Sequence, residues 1–154
     1  MRYVAFLRVV NVGHGRKVEM KRLREVLTDA GYENVATYIQ SGNVFFDSPS
    51  QSKKQLVADL EPKLATEFGF DIPVIVRTLP ELHKLIESKP FGDEQANDDQ
   101  RLLVTFGVST TWCDVIPVEN GRWKVPKGRE AGTGRFWHTL LKIADAARSR
   151  PPGG

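Results

Sequence analysis

The chain has 154 residues, of which 40% are hydrophobic and 27% charged, which is typical of one globular domain or two small halves packed together and excludes a disordered chain. A single cysteine, Cys113, and three histidines exclude an internal disulfide and a zinc site of the usual kind. The longest uncharged run, residues 34–46, is too short to span a bilayer, and the N-terminus lacks a signal-peptide pattern. We therefore expect a cytoplasmic protein with no membrane partner, no metal and no cofactor.

Charge is distributed unevenly along the chain. Residues 1–24 carry a net charge of +6, residues 25–121 a net charge of −9, and residues 122–154 again +6. If the two ends meet in space, their basic side chains form one positive surface that attracts anions, including nucleic acid. The alternative is two separate, solvated basic segments. The first interpretation predicts one face shared by Arg8, Arg16 and Lys17 with some of Arg129, Arg135 and Lys142.

The first elements are a strand, a helix and a hairpin. Residues 3–10 are almost continuously apolar, which predicts a strand in the interior of a sheet. A helix is predicted from about Met20, with Gly31 at its C-terminal end. Two short strands over 35–40 and 44–47 flank a tight turn and therefore predict a hairpin.

The next two elements complete the first half. Ser50 or Ser52 is predicted to cap a helix that contains Pro62, so we expect a kink there or two shorter helices. Residues 72–76 predict a strand at a sheet edge, since Pro73 cannot donate to a ladder. The resulting order, β-α-β-β-α-β, is the ferredoxin-like arrangement, in which the first strand is central and the last lies at an edge.

The second half is less regular. A short helix is predicted over 80–88, followed by an acidic loop and a strand over 101–106. Asn120 and Gly121 predict a hairpin of strands 115–118 and 122–125, with a loop over 126–132. A final helix over 136–148 is predicted to bury Trp137, Leu140, Leu141, Ala144 and Ala147. We therefore expect an α+β protein with two ferredoxin-like α/β subdomains, residues 1–78 and an abbreviated 79–154, packed as one unit with frayed last residues.

Four segments resemble the uncharacterised family DUF1697. They are Leu-Arg-Val-Val-Asn-Val-Gly at 7–13, Thr-Tyr-Ile-Gln-Ser-Gly-Asn-Val-Phe-Phe at 37–46, Phe-Gly-Phe-Asp-Ile-Pro-Val at 68–74, and Thr-Gly-Arg-Phe-Trp-His-Thr at 133–139. The resemblance covers residues 1–78 well and the last helix moderately. It implies two α/β subdomains of ferredoxin-like character and assigns no activity.

The chain also departs from the family pattern. Val9 and His14 stand where the family usually has glycine, and Phe136 stands where it favours asparagine. A helix-sized stretch that the family usually carries between Gly128 and Thr133 is absent here. A site that needed that stretch would be incomplete in this protein.

The loop from Gly13 to Lys17 follows a strand and precedes a helix, an arrangement that favours anion binding through backbone N–H groups and the helix N-terminus. Val18 occupies the place of the third glycine of a dinucleotide fingerprint, and no Gly-Lys-Ser/Thr ending follows. The loop is therefore neither a Rossmann loop nor a P-loop. It is either a generic anion site or a plain solvated loop.

Two further groups of polar residues are candidates for a functional site. In the turn from Gln40 to Asn43, both end residues could bind a ligand, whereas Ser41 would need a base to act as a nucleophile. The alternative is a turn whose small polar residues satisfy only its own backbone. Arg135, beside Trp137, could hold a phosphate or stack on a base; the alternative places Trp137 in the core and Arg135 at the surface.

Three functions from different classes follow. The favoured one is a binding module for an anionic ligand, a nucleotide or nucleic acid; the second is an enzyme acting on a phosphorylated or nucleotide-like substrate; the third is an oligomerising protein whose edge strands pair between chains. The candidate ligand-binding residues are Arg8, Asn11, Gly13, Lys17, Gln40, Ser41, Asn43 and Arg135. Because the second hairpin strand should run antiparallel beside the first strand, we expect the turn before it to meet the loop that carries Asn11.

Overall fold

The computed structural model describes residues 1–8, 10–11, 15–39, 42–49, 51–93, 97 and 99–149. These residues form seven strands and four helices. In chain order they are β1 (Arg2–Leu7), α1 (Met20–Asp29), β2 (Glu33–Thr37), β3 (Asn43–Asp47), α2 (Lys53–Phe68), β4 (Val74–Thr78), α3 (Leu79–Glu87), β5 (Gln100–Phe106), β6 (Thr111–Pro117), β7 (Thr133–Phe136) and α4 (Trp137–Arg148).

The first sheet has the strand order β2-β3-β1-β4, and all of its neighbouring strands are antiparallel. The predicted interior strand is confirmed, since β1 pairs with both β3 and β4. The predicted edge position of β4 is also confirmed, and Pro73 lies just before its first residue. β1 is shorter than predicted. It ends at Leu7 rather than Val10, although the backbone N–H of Arg8 still donates to the carbonyl of Pro73 at 2.9 Å, beside the β1–β4 pairing.

Both faces of β1 are covered, which explains its continuous apolar run. Tyr3, Ala5 and Leu7 lie in a core with buried leucines of α1 and α2. Val4 and Phe6 lie on the opposite face, in a core shared with the second half of the chain. A strand covered on both faces does not alternate between apolar and polar residues.

The helix after the hairpin is one element. Ser52 caps α2, and its side chain accepts a hydrogen bond from the N–H of Gln55 in a reciprocal capping box. The other predicted cap, Ser50, lies outside the described residues. Pro62 lies at an exposed position inside this continuous 16-residue helix. The alternative of two shorter helices is therefore wrong, whereas the kink at Pro62 stays a prediction.

The second sheet has the antiparallel order β6-β5-β7 and packs against the first through aromatic and aliphatic side chains. The rings of Phe6 and Phe106 stack with their centroids 4.6 Å apart. Leu140 and Ile143 of α4 join the same core. The predicted mixed α+β class and the element order of the first half are confirmed, whereas the ferredoxin-like description and the division into residues 1–78 and 79–154 stay predictions.

Three predictions for the second half are wrong. Strand β6 pairs with β5, so residues 122–125 form no hairpin strand, and the Asn120–Gly121 turn closes only the single bridge between Glu119 and Arg122. Residues 133–136 form a strand, β7, before α4 begins. Leu141 is 38% exposed, and Ile143 takes the buried position on α4 instead.

A capping box at the start of α3 gives a pH-dependent contribution to stability. Thr78 donates its backbone N–H to Glu81 at 2.8 Å, and Lys53 Nζ lies 2.8 Å from the same carboxylate. Burial acts to raise the pKa of Glu81, but the hydrogen bonds from Lys53 and Thr78 outweigh it and hold the pKa below its ordinary value. Since the folded-state pKa is lower than the unfolded one, this stabilisation is present at neutral pH and is lost as the pH falls through the folded-state value.

We expect Glu81→Gln to reduce the loss of stability on acidification. The variant should be less stable than the parent at neutral pH, and the difference should shrink in acid because the carboxylate interaction is then lost in both proteins. Urea unfolding at neutral and acidic pH measures the effect, with Glu87→Gln on the exposed side of α3 as the control. A difference between Glu81→Gln and the parent that stays constant with pH would contradict the assignment.

Candidate functional site

The turn before β3 meets the connection after β1 at one end of the first sheet. The backbone N–H of Leu7 donates to the carbonyl of Gly42 at 2.8 Å. Gly42 has a φ of +84°, and a Cβ on it would lie 2.8 Å from Cγ2 of Val10 and 2.9 Å from Cβ of Leu7. Only glycine fits this close approach without strain. The predicted meeting of these two loops is therefore confirmed.

Two of the candidate residues, Asn43 and Arg135, contact each other inside the protein. Arg135 Nε donates to Asn43 Oδ1 at 2.7 Å, and Arg135 Nη1 donates to Thr133 Oγ1 at 2.8 Å. Asn43 is fully buried, and its Nδ2 donates to the carbonyl of Tyr38 at 3.1 Å. The hydrogen bond between Arg135 and Asn43 joins β7 of the second sheet to β3 of the first. Both residues therefore hold the two halves together at this end.

Arg135 is a buried cation. Its Nη2 lies 3.5 Å from the carbonyl oxygens of Leu7 and Gly42, and its guanidinium lies 5.2 Å from the ring centroid of Phe6. Burial lowers its pKa to about 10, which is still far enough above neutral pH to leave the side chain protonated. The alternative that placed Arg135 at the surface is therefore wrong. Trp137 is half-buried and packs edge-on against Phe91.

Asn11 shapes the loop that precedes α1. Its Oδ1 accepts the N–H of Val18 at 2.8 Å, and its Nδ2 donates to the carbonyl of Val18 at 3.0 Å. The backbone N–H of Asn11 also donates to the carbonyl of Arg16 at 2.9 Å. These bonds fold the loop back on itself. The Arg16 side chain donates to the carbonyl of Asp71 at 2.8 Å and lies over the ring of Phe70.

Arg8 brings the two basic ends of the chain together. Its Nη2 donates to the carbonyl of Glu130, in the connection that leads into β7. Arg129, the preceding residue in that connection, forms an ion pair with Asp114, with 3.2 Å between Nε and Oδ2. Lys17 is exposed and forms no ion pair with any residue that the structure describes. The first and third basic segments therefore meet at the end of the sheet that the loops share.

The eight candidate residues fall into three groups. Arg8 and Lys17 have side chains at the surface, at least in part, where a ligand could reach them. Asn11, Asn43 and Arg135 bond to other parts of the protein and position the loops. Gly13, Gln40 and Ser41 lie outside the described residues. Of the basic residues predicted to share the face, Arg135 is instead buried, and Lys142 is exposed on α4.

A groove of about 690 Å³ runs beside β6, and the sequence interpretation missed it. It is lined by residues 114–117 of β6 on one side and by residues 119–120 and 122–126 on the other. The signal in the sequence is Trp123 between two basic residues, Arg122 and Lys124. It was overlooked because the turn at Asn120–Gly121 predicted a paired strand there instead of an open segment.

The described residues offer little for a metal ion or for thiol chemistry. They contain no group of three or more His, Cys, Asp or Glu side chains placed to hold a metal ion. Burial and the neighbouring charge of Asp114 raise the pKa of the Cys113 thiol, which disfavours the reactive thiolate. No helix among the described residues is long and apolar enough to cross a membrane.

Comparison with known proteins identifies the family. A family model described as "Protein of unknown function (DUF1697)" matches residues 1–116. A solved structure of the conserved bacterial protein SP0830 from Streptococcus pneumoniae is similar over 95% of this chain and 98% of its own, with 26% sequence identity and a TM-score of 0.72. No curated protein matches the sequence. Because the family model covers well over half of the chain, this protein belongs to the DUF1697 family of proteins of unknown function.

Proposed function

We propose that the protein is a binding module for an anionic ligand, a nucleotide or nucleic acid, which it contacts through Arg8 and Lys17. The observation that carries the proposal is the bond from Arg8 to the carbonyl of Glu130, because it brings the two basic ends of the chain to one end of the sheet. Opposite charges then attract a phosphate-bearing ligand to that end.

The electrostatics of this end support the proposal. The described hydrogen bond of Arg8 goes to a neutral carbonyl, and Lys17 forms no ion pair within the described part of the chain. The buried cation of Arg135 lies beneath the same loops. In contrast, Arg22 on α1 is bonded to the carboxylates of Glu67 and Glu25, so its charge is neutralised locally.

The backbone near Lys17 adds a weaker contribution. Helix α1 begins at Met20, and its N-cap residue, Glu19, makes no side-chain capping hydrogen bond to the first turn. The N–H groups of a first turn and the helix dipole both favour an anion. A phosphate held by Lys17 would lie close to these N–H groups.

We expect the double variant Arg8→Gln/Lys17→Gln to bind its ligand about 10- to 100-fold more weakly, because it loses two charge-assisted hydrogen bonds. Isothermal titration with ATP and with a short single-stranded oligonucleotide, at low and high salt, measures the affinity. The matched control is Lys54→Gln/Lys84→Gln, which removes the same charge from exposed positions of α2 and α3.

The control should bind as the parent does. The proposal fails if the control loses as much affinity as the double variant, since the attraction would then come from net charge alone. It also fails if neither probe binds the parent protein at low salt. Binding that weakens with salt in the parent, and weakens less steeply in the double variant, is the expected pattern.

A further inference from the structure

The groove beside β6 is lined by both apolar and basic side chains. Its exposed apolar side chains are Val115, Trp123 and Val125, with exposed fractions of 40%, 40% and 52%. Its volume of about 690 Å³ falls within the range of about 300–1,000 Å³ typical of small-molecule sites. Exposed aromatic and aliphatic groups that are gathered in one concave groove indicate a binding surface.

Trp123 is held in place at one side of the groove. Its ring makes an edge-on contact with the ring of Phe136, with 5.3 Å between the centroids, and β7 fixes Phe136 in turn. The tryptophan is therefore oriented by the fold and still open to a ligand over part of its surface. An oriented indole ring is a platform on which a planar group can stack.

The charges around the groove favour an anion that also carries a planar group. Arg122 and Lys124 flank Trp123 and line the groove, and Lys127 follows in the same exposed segment. None of the three forms an ion pair within the part of the chain that the structure describes. Of the two acidic residues in the lining, Asp114 is already paired with Arg129. The net charge left at the groove is positive.

We propose that this groove binds single-stranded nucleic acid, with a base stacked on Trp123 and the neighbouring phosphates on Arg122, Lys124 and Lys127. The inference goes beyond the proposed function, since it places a second site at the groove and names the ligand class that this site takes. The connection through residues 127–130 leads from the groove to the Glu130 carbonyl that Arg8 contacts, so one strand could follow both basic sites. A duplex fits the groove poorly, because its bases are stacked on each other and cannot stack on a side chain.

The test is fluorescence anisotropy with labelled single strands of about 12 nucleotides, oligo-dT and oligo-U, at low salt. We expect Trp123→Ala to weaken binding about 5- to 100-fold, and Trp123→Phe to keep most of the affinity because a stacking face remains. Leu141→Ala, a similarly exposed apolar side chain on α4, should bind as the parent does. The two probes distinguish DNA from RNA as the source of the strand. A duplex of the same length should bind more weakly and with no dependence on Trp123.

Failure of the groove inference and failure of the proposed function give different results with these variants. If Arg8→Gln/Lys17→Gln weakens binding and Trp123→Ala does not, the groove inference is overturned and the proposed function stands. If Trp123→Ala weakens binding and the double variant does not, the groove inference stands and the Arg8–Lys17 site fails. Polyglutamate that competes as well as oligo-dT, or a Trp123→Phe variant as weak as Trp123→Ala, would overturn base stacking. Circular dichroism and the melting temperature check that each variant is folded.

Discussion

Replacing Arg2 with methionine is expected to lower the free energy of unfolding by about 3–5 kcal/mol. Arg2 is 4% exposed, and its guanidinium donates to the carbonyls of Ala147 at 2.8 Å and of Ser149 at 3.0 Å, at the C-terminal end of α4. It also donates to the carbonyl of Asn34 at 2.6 Å and forms an ion pair with Asp47 at 3.5 Å. Methionine keeps much of the volume but leaves these oxygens without their donor.

The effect should reach beyond β1, because Arg2 ties the first strand to the last helix. Urea unfolding measures the change, and Lys21→Met, at an exposed position of α1, is the control that should change stability by less than about 0.5 kcal/mol. A loss below about 1 kcal/mol for Arg2→Met would show that water replaces the lost donors and that the C-terminal end of α4 does not depend on Arg2.

Replacing Arg135 with methionine should cost about 2–4 kcal/mol, and Asn43→Ala about 1–3 kcal/mol. Removing Arg135 leaves the buried Oδ1 of Asn43 without the donor at 2.7 Å, and it removes the donor shared by Thr133 and the Gly134 carbonyl. Part of this loss is offset, because the parent protein must desolvate the Arg135 cation. Burial lowers the pKa of this side chain to about 10.

The Asn43–Arg135 hydrogen bond predicts that the two substitutions are not additive. Their double variant should be more stable than the sum of the single changes implies, by about 0.5–3 kcal/mol, since each single change orphans the other partner. Strict additivity in urea unfolding would contradict a direct coupling. Because a ligand cannot reach these two buried side chains, either variant that remains folded should lose less ligand affinity than Arg8→Gln/Lys17→Gln does.

The interior and edge strands of the first sheet could be predicted because their signals are local. β1 is apolar at consecutive positions since Tyr3 faces one core and Phe6 faces the other. Pro73 lies just before the edge strand β4. The meeting of the turn at Gly42 with the end of β1 then followed from antiparallel pairing alone.

The second half was predicted less well because distant parts of the chain decide its pairing. The Asn120–Gly121 turn forms, but β5 is the strand that pairs with β6, and local turn residues carry no information about that choice. β7 is only four residues long and contains Gly134, where a Cβ would lie 3.0 Å from Leu103 Cδ1. A glycine that allows close approach of a neighbouring strand weakens the strand signal in the sequence.

In the candidate site, too, features with a local sequence signal could be predicted, and features that depend on distant contacts could not. The basic character of both chain ends was visible in the sequence, whereas the burial of Arg135 against Asn43 depends on contacts between residues 92 positions apart. Sequence reasoning therefore identified the residues of this end of the sheet without separating those that hold the loops from those that a ligand could reach. Burial separates them, since Asn43 and Arg135 are buried and Lys17 is exposed.

Binding of an anionic ligand where the two basic ends of the chain meet can be mapped directly by amide chemical shifts during a titration with a short single-stranded oligonucleotide. The shifts are expected to cluster at Arg8, Lys17, Gly42 and the connection around Glu130, with a second cluster at the groove around Trp123, whereas exposed positions of α2 such as Lys54 should not move. Shifts centred on α2 or spread evenly over the surface, with the amides around Arg8 and Lys17 unmoved, would contradict it.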